Sequence, residues 1–460
     1  MKAVFVAFLV LISCVPAWTT SPYDLFFRTE ADAMLLGGGD VPGDITGRPE
    51  LDRPTSLLTA GDGRLRLELC SQTPVALIEG DSMPGVWRSD AFKSTWAQTL
   101  GEDRRFALGM GHITVDDMVR YAEGGRGYRL DLREKTYGAG VAWRFDDAWT
   151  AGASASWGRV SGRAQGSMLA DALDLPADTE RWPTVQASTS SWVLGLSHQT
   201  GRWRMGASHG RSEPSAVLHL SRDQYDYTAP LNVSGYWHEL WIAHDAGREC
   251  WWALARESEN TGDGRVMLGL VGRGDITGEQ SGRVRALGWR REAGRSLTAA
   301  QVDQLDGDLH LYMQGYAGLL PGISADVHTL RATGDVRTRS ARVSHQRHLA
   351  GDWSWGAAAG MHQSEVDWHF VIRRVRGIGR SPTVQTEDRI EDGELTLWAL
   401  TLGLIHETEQ LRAVITGTAG IVAANDVIDD ALDRVDPPDP AKIRIIEVRP
   451  LFTAALEYRF

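Results

Sequence analysis

The chain has 460 residues, 23% charged and 42% hydrophobic, with 50 Gly, 17 Pro and 18 Trp, enough to bury a large core and without the mark of disorder or a collagen repeat. A formal net charge of −12 and the lack of any basic cluster argue against a nucleic-acid partner. Three cysteines, Cys14, Cys70 and Cys250, are too few for a disulfide scaffold and lack metal-ligand spacing, so no metal or cofactor is expected.

Residues 1–17 carry one positive charge at Lys2, an apolar run from Ala3 to Cys14, and then Val15-Pro16-Ala17. This reads as a secretory signal cleaved after Ala17. Leu11-Ile12-Ser13-Cys14 offers a competing reading as a lipobox, with lipidation at Cys14. No later segment approaches the ~18 uninterrupted apolar residues of a membrane-crossing helix. Residues 18–60 are loaded with Gly, Pro and acids and show no alternation; they read as a periplasmic arm or an inward plug.

From residue 61 onward apolar residues recur at period two in short blocks, joined in pairs by a few polar residues, the pattern of β-hairpins. Tyr137, Ala139, Val141, Trp143 and Phe145 share one face, turn at Asp146-Asp147-Ala148, and return through Trp149, Ala151, Ala153, Ala155 and Trp157. Trp192, Leu194 and Leu196 oppose Trp203, Met205 and Ala207; Trp398, Leu400, Leu402 and Leu404 oppose Leu411, Ala413 and Ile415. Tight turns fall near residues 102, 147, 201, 247, 293, 350 and 408, alternating with long polar stretches. Seven hairpins, a strand from Arg64 to Cys70 and a last strand ending at Phe460 give about 16 strands, with 14 or 18 as alternatives.

A propeller would place several comparable turns in each blade, whereas one tight turn here alternates with one long stretch. A sheet with one apolar face needs either a second sheet or lipid to cover it, and lipid tolerates only a closed sheet. The fold class predicted is therefore all-β, a transmembrane antiparallel β-barrel over residues 61–460. Trp149, Trp157, Trp203, Trp353 and Trp398, near strand ends, fit interfacial girdles.

The last residues place Phe452, Ala454, Leu456, Tyr458 and Phe460 on one face and Thr453, Ala455, Glu457 and Arg459 on the other. This resembles the closing strand of the bacterial outer-membrane β-barrel superfamily. The resemblance implies that Leu456, Tyr458 and Phe460 form the signal read by the barrel assembly machinery. It also implies that the bilayer, lipopolysaccharide and small solutes are the partners.

Candidate chemistry sits mainly on the inward face. Arg64, Arg66 and Glu68 alternate with Leu65, Leu67 and Leu69, so the charged set points into the lumen if the leucines meet lipid. Arg283 and Arg285 alternate with Val284 and Ala286 and are read the same way, although Leu287 and Trp289 share their phase. Asp171, Asp174, Asp178 and Glu180 lie in a stretch that matches in position the inward-folded third loop of general porins, where acids face a wall of arginines. Such opposed charges would filter solutes by sign.

Gly206-Ala207-Ser208-His209-Gly210 fits G-x-S-x-G, but it lies within a strand rather than at the strand-to-helix elbow that exposes a nucleophile. His345 and His348, and His238 beside Glu239, read as structural. Asp426, Asp429, Asp430, Asp433, Asp436 and Asp439 read as a solvated loop. The expected function is an outer-membrane channel for small solutes. A secretion or assembly barrel, for instance for an exopolysaccharide, and a lipid-modifying hydrolase are the alternatives. Cys70 and Cys250 are expected too far apart to bridge.

Overall fold

The computed structural model describes residues 48–460 apart from 62, 80–81, 102, 124–125, 168–181, 183, 223–224, 269–271, 318–324, 378–382 and 426–443. A short 3-10 helix, Pro54–Ala60, precedes the strands β1 (Arg64–Glu79), β2 (Ser82–Leu100), β3 (Phe106–Glu123), β4 (Arg126–Arg144), β5 (Trp149–Gln165), β6 (Thr184–Thr200), β7 (Trp203–Ser212), β8 (Ser215–Arg222) and β9 (Tyr225–Asp245). They continue as β10 (Glu249–Leu268), β11 (Gly272–Ala293), β12 (Ser296–Ala317), β13 (Ala325–His348), β14 (Trp353–Gly377), β15 (Thr383–Glu407), β16 (Leu411–Asn425) and β17 (Arg444–Arg459).

β7 and β8 both pair with β6 and β9, and therefore form one stave interrupted where Pro214 has no N–H to give. The result is a 16-stave antiparallel barrel, closed by β1 against β17 from Arg64↔Arg459 to Ala76↔Glu447. Phe460 N–H seals the seam on Gly63 O at 3.1 Å.

All seven tight turns fall where the alternation placed them, and five hold a glycine at positive φ: Gly101, Gly201, Gly247, Gly294 and Gly351. In the turn after β4 the Asp146 carboxylate instead accepts from Ala148 N–H and Trp149 N–H, at 2.7 and 2.6 Å. The staves are longer than the alternation suggested. β14 and β15 each run 25 residues, so much of what reads as polar loop is paired wall. Cys70 accordingly lies inside β1 rather than at its end; it and Cys250 are both free and buried.

Outward side chains form an apolar belt near the turn end. Leu194, Leu240, Leu287, Leu402 and Ile415 are each more than half exposed on the bare chain, while the residues between them are covered. Two aromatic rows bound this belt. Near the turns stand Phe106 stacked on Trp143, and, tilted against each other, Trp149 and His198, Trp203 and His244, and Trp353 and His406. Farther along stand Tyr137 with Trp157, Trp192 and Trp398. Trp149 and Trp157 mark the two edges on a single strand, and at ~3.3 Å per residue and ~40° tilt they lie about 20 Å apart, close to the apolar height of barrels that cross a bilayer. Only lipid covers such a surface, which makes this a transmembrane barrel.

Candidate functional site

The lumen is crossed by the chain that leads into β1. Residues 48–61 run inside the wall, and the Pro54–Ala60 helix packs against β2 to β6. The wall makes room by omitting side chains. Gly109 and Gly111 of β3, Gly138 and Gly140 of β4, and Gly152 of β5 all face inward beneath Leu51, Pro54 and Leu57. A methyl group at Gly152 would stand 2.7 Å from the Pro54 carbonyl carbon, and one at Gly138 2.8 Å from Leu51 Cδ1. Leu57 is fully buried with Ala97, Ala107 and Ala142. Ser154 Oγ donates to Leu51 O, and Thr99 Oγ1 to Gly61 O.

The other side of this strap is electrostatic. Arg53 reaches β9, where Nε and Nη2 donate to the two carboxylate oxygens of Glu239 at 2.6 and 2.8 Å. Glu239 is wholly buried, and Arg256 of β10 donates to its Oε2 through Nε at 3.0 Å and Nη2 at 2.6 Å. Glu50 holds the other arm of Arg53 at 3.1 Å, and the Arg256 guanidinium lies 5.1 Å from the centroid of the Trp237 ring. Two arginines thus share one carboxylate in a dry setting. Such pairs are costly to assemble but costlier to break, about 3–5 kcal/mol when one partner is removed.

Two further charged groups line the interior. Arg64, Arg66 and Glu68 of β1 face inward beside β17, with Arg66 Nη1 donating to Glu457 Oε2 at 3.4 Å and Arg66 Nη2 to Glu68. Glu457 also accepts from Arg459, which reaches Glu407 at 2.9 Å. On β12 and β13, Asp303 pairs with Arg342 at 3.1 Å and accepts from Gln301 and Ser340.

Arg283 and Arg285 do not line the interior, which corrects the sequence reading. Val284 and Ala286 are buried inward, whereas Arg283 shares the outward phase of Leu287 and pairs with Glu257 at 3.3 Å on the outer wall. The apolar partners were small inward residues, not lipid contacts, and the blurring by Leu287 and Trp289 was the correct phase signal. Asp171, Asp174, Asp178 and Glu180, and the aspartates from Asp426 to Asp439, lie outside the described residues. Leu456, Tyr458 and Phe460 face outward at the seam.

Ser208 faces inward, directly opposite Glu239, while His209 points outward and stacks on His238 at 4.5 Å. His345 meets Thr298 Oγ1 at 3.0 Å. Among the described residues no group of three or more His, Cys, Asp or Glu is placed to hold a metal ion. Arg53, Arg256, Asp303 and Arg342 escaped the sequence reading, and Glu239 entered it only beside His238 as a structural residue. Glu239 was detectable in principle, since it falls between Trp237 and Trp241 in the phase opposite outward Leu240.

The geometry defines a class: a closed transmembrane barrel whose lumen is crossed by its own N-terminal strap. No family model matches the sequence, and no curated protein matches it. Among solved structures it is similar to the toluene transporter TodX of Pseudomonas putida, with 11% identity and a TM-score of 0.41 over 93% of this chain and 97% of that one. It is also similar to BauA, the ferric preacinetobactin receptor of Acinetobacter baumannii, with 8% identity and a TM-score of 0.33 over 87% and 80%.

Proposed function

We propose that the protein is an outer-membrane channel for small solutes, gated or narrowed by the strap of residues 48–61. The observation that carries this reading is the Arg53–Glu239–Arg256 junction, which fastens the strap inside the barrel between the glycine-lined wall of β3 to β5 and the staves β9 and β10. A barrel with a purely mechanical role has no need of a charged clasp inside it. A channel does, because a clasp sets the width of the path while its wall charges act on passing solute. Arg64, Arg66 and Glu457 would meet the same solute at the turn end.

In this reading the turn end faces the periplasm and the long staves face outward. The test is single-channel conductance of the refolded chain in planar bilayers under a salt gradient. Steady current whose ion selectivity shifts on Arg66→Gln supports the reading. Absence of current, both in the intact chain and in one lacking residues 18–60, overturns it.

A further inference from the structure

We infer that the outer wall carries seats for the phosphates of an outer-leaflet lipid, formed by Lys135 and Arg159 on one flank and by Arg285 and Arg339 on another. The inference rests on the membrane placement proposed above. All four side chains are exposed, and none of them makes a hydrogen bond or ion pair among the described residues.

Their height is set by register. Lys135, Arg159, Arg285 and Arg339 lie eight to ten residues from the turn ends of β4, β5, β11 and β13. That is the level of the farther aromatic row or one step beyond it: the pair Lys135↔Arg159 directly follows Tyr137↔Trp157. Arg285 and Arg339 likewise follow Leu287 and Ala341, flanking Gln304 of β12 and Val302 respectively. Leu287 and Val302 are 60% and 51% exposed, which leaves an apolar floor beside the cations.

Like charges directly opposite on neighbouring strands destabilise a sheet. Lys135 and Arg159 are such a pair, and nearby acids do not relieve it: Asp116 is taken by Arg133. On the other flank Glu257 is taken by Arg283, and Asp306 accepts from Gln304 at 3.0 Å. Arg285 and Arg339 stand two strand spacings apart, ~10 Å, so their guanidinium groups can converge on one anion above Gln304. Guanidinium and ammonium groups at headgroup height over an apolar wall match a phosphate monoester attached to acyl chains. A free anion would gain nothing from the apolar floor.

The test uses the full chain in detergent micelles doped with bisphosphorylated lipid A, with retained lipid read by native mass spectrometry. The expected result is retention by the wild type and roughly tenfold or greater loss in Lys135→Gln/Arg159→Gln/Arg285→Gln/Arg339→Gln. Lys135→Arg/Arg159→Lys/Arg285→Lys/Arg339→Lys, which keeps every charge and controls for folding, is expected to retain it. Equal retention by the wild type and the glutamine variant overturns the inference. Displacement of the lipid by millimolar inorganic phosphate also overturns it, since the site would then be one for free anions. Conductance of the same preparations separates the two readings: current without selective retention sinks only the lipid seats, and selective retention without current sinks only the channel.

Discussion

Arg53 and Glu239 are separated by 186 residues of chain and meet inside the barrel through two parallel hydrogen bonds, fork to fork. The contact links a segment without periodicity to the inward phase of a stave, and it makes the strap part of the wall's own charge balance.

Glu239→Gln removes the carboxylate that Arg53 and Arg256 share and leaves Glu50 holding Arg53. Removing one member of a buried pair costs about 3–5 kcal/mol, enough to shift the strap from docked to undocked in a large share of molecules. Single-channel recording is expected to show a severalfold rise in open probability. Unchanged recordings would mean that the strap does not limit the path.

The glycine seat on β3 to β5 makes a steric prediction. Gly140 lies beneath both Leu51 and Leu57, with contacts of 3.0 and 3.1 Å to an added methyl group, so Gly140→Val pushes the strap off. A cysteine placed by Leu57→Cys, with Cys70 and Cys250 replaced by serine, should resist a water-soluble maleimide until Gly140→Val is added. Equal labelling in both backgrounds would contradict the packing.

Charge on the two faces of the wall should act differently on current. Arg64→Gln with Arg66→Gln is expected to shift the reversal potential under a salt gradient. Arg283→Gln with Arg285→Gln, on the outer face, should leave it in place. A comparable shift from the second pair would place those side chains in the lumen after all.

Phe460 closes the seam through its backbone and presents its ring outward beside Tyr458, at 5.2 Å between centroids. If this end is the assembly signal, Phe460→Ala lowers the heat-modifiable folded band in outer-membrane fractions severalfold. The purified variant should still refold in detergent. Normal insertion in cells would remove the signal role.

The sequence was most legible where lipid and lumen impose opposite demands on alternate residues. Tyr137 to Phe145 and Trp398 to Leu404 announced their faces because one side must be apolar. Beyond the belt the outer face no longer meets lipid, so in β13 the exposed phase is charged (Arg331, Asp335, Arg337 and Arg339) over small buried residues (Ala332, Gly334 and Thr338), and the apolar signal that marks a lipid-facing strand is missing. That is why paired wall looked like loop. Arg283 and Arg285 misled for a related reason: Val284 and Ala286 are apolar because they pack inside, and two residues cannot distinguish that from facing lipid. The strap segment has no period, so it read as a periplasmic arm or an inward plug without a docking partner, and its partners Glu239 and Arg256 look like ordinary strand charges until the fold brings Arg53 to them.

The length of β13 and β14 has a consequence for how a solute arrives. Their pairing runs unbroken from His348↔Ser354 to Ala325↔Gly377. At ~2.5 Å of height per tilted residue, this sector of the wall stands about 35 Å beyond the lipid. A molecule dissolved in the acyl layer therefore meets a hydrogen-bonded screen along these staves. In the proposed channel, a solute on that side enters only from the water beyond the far ends of these staves.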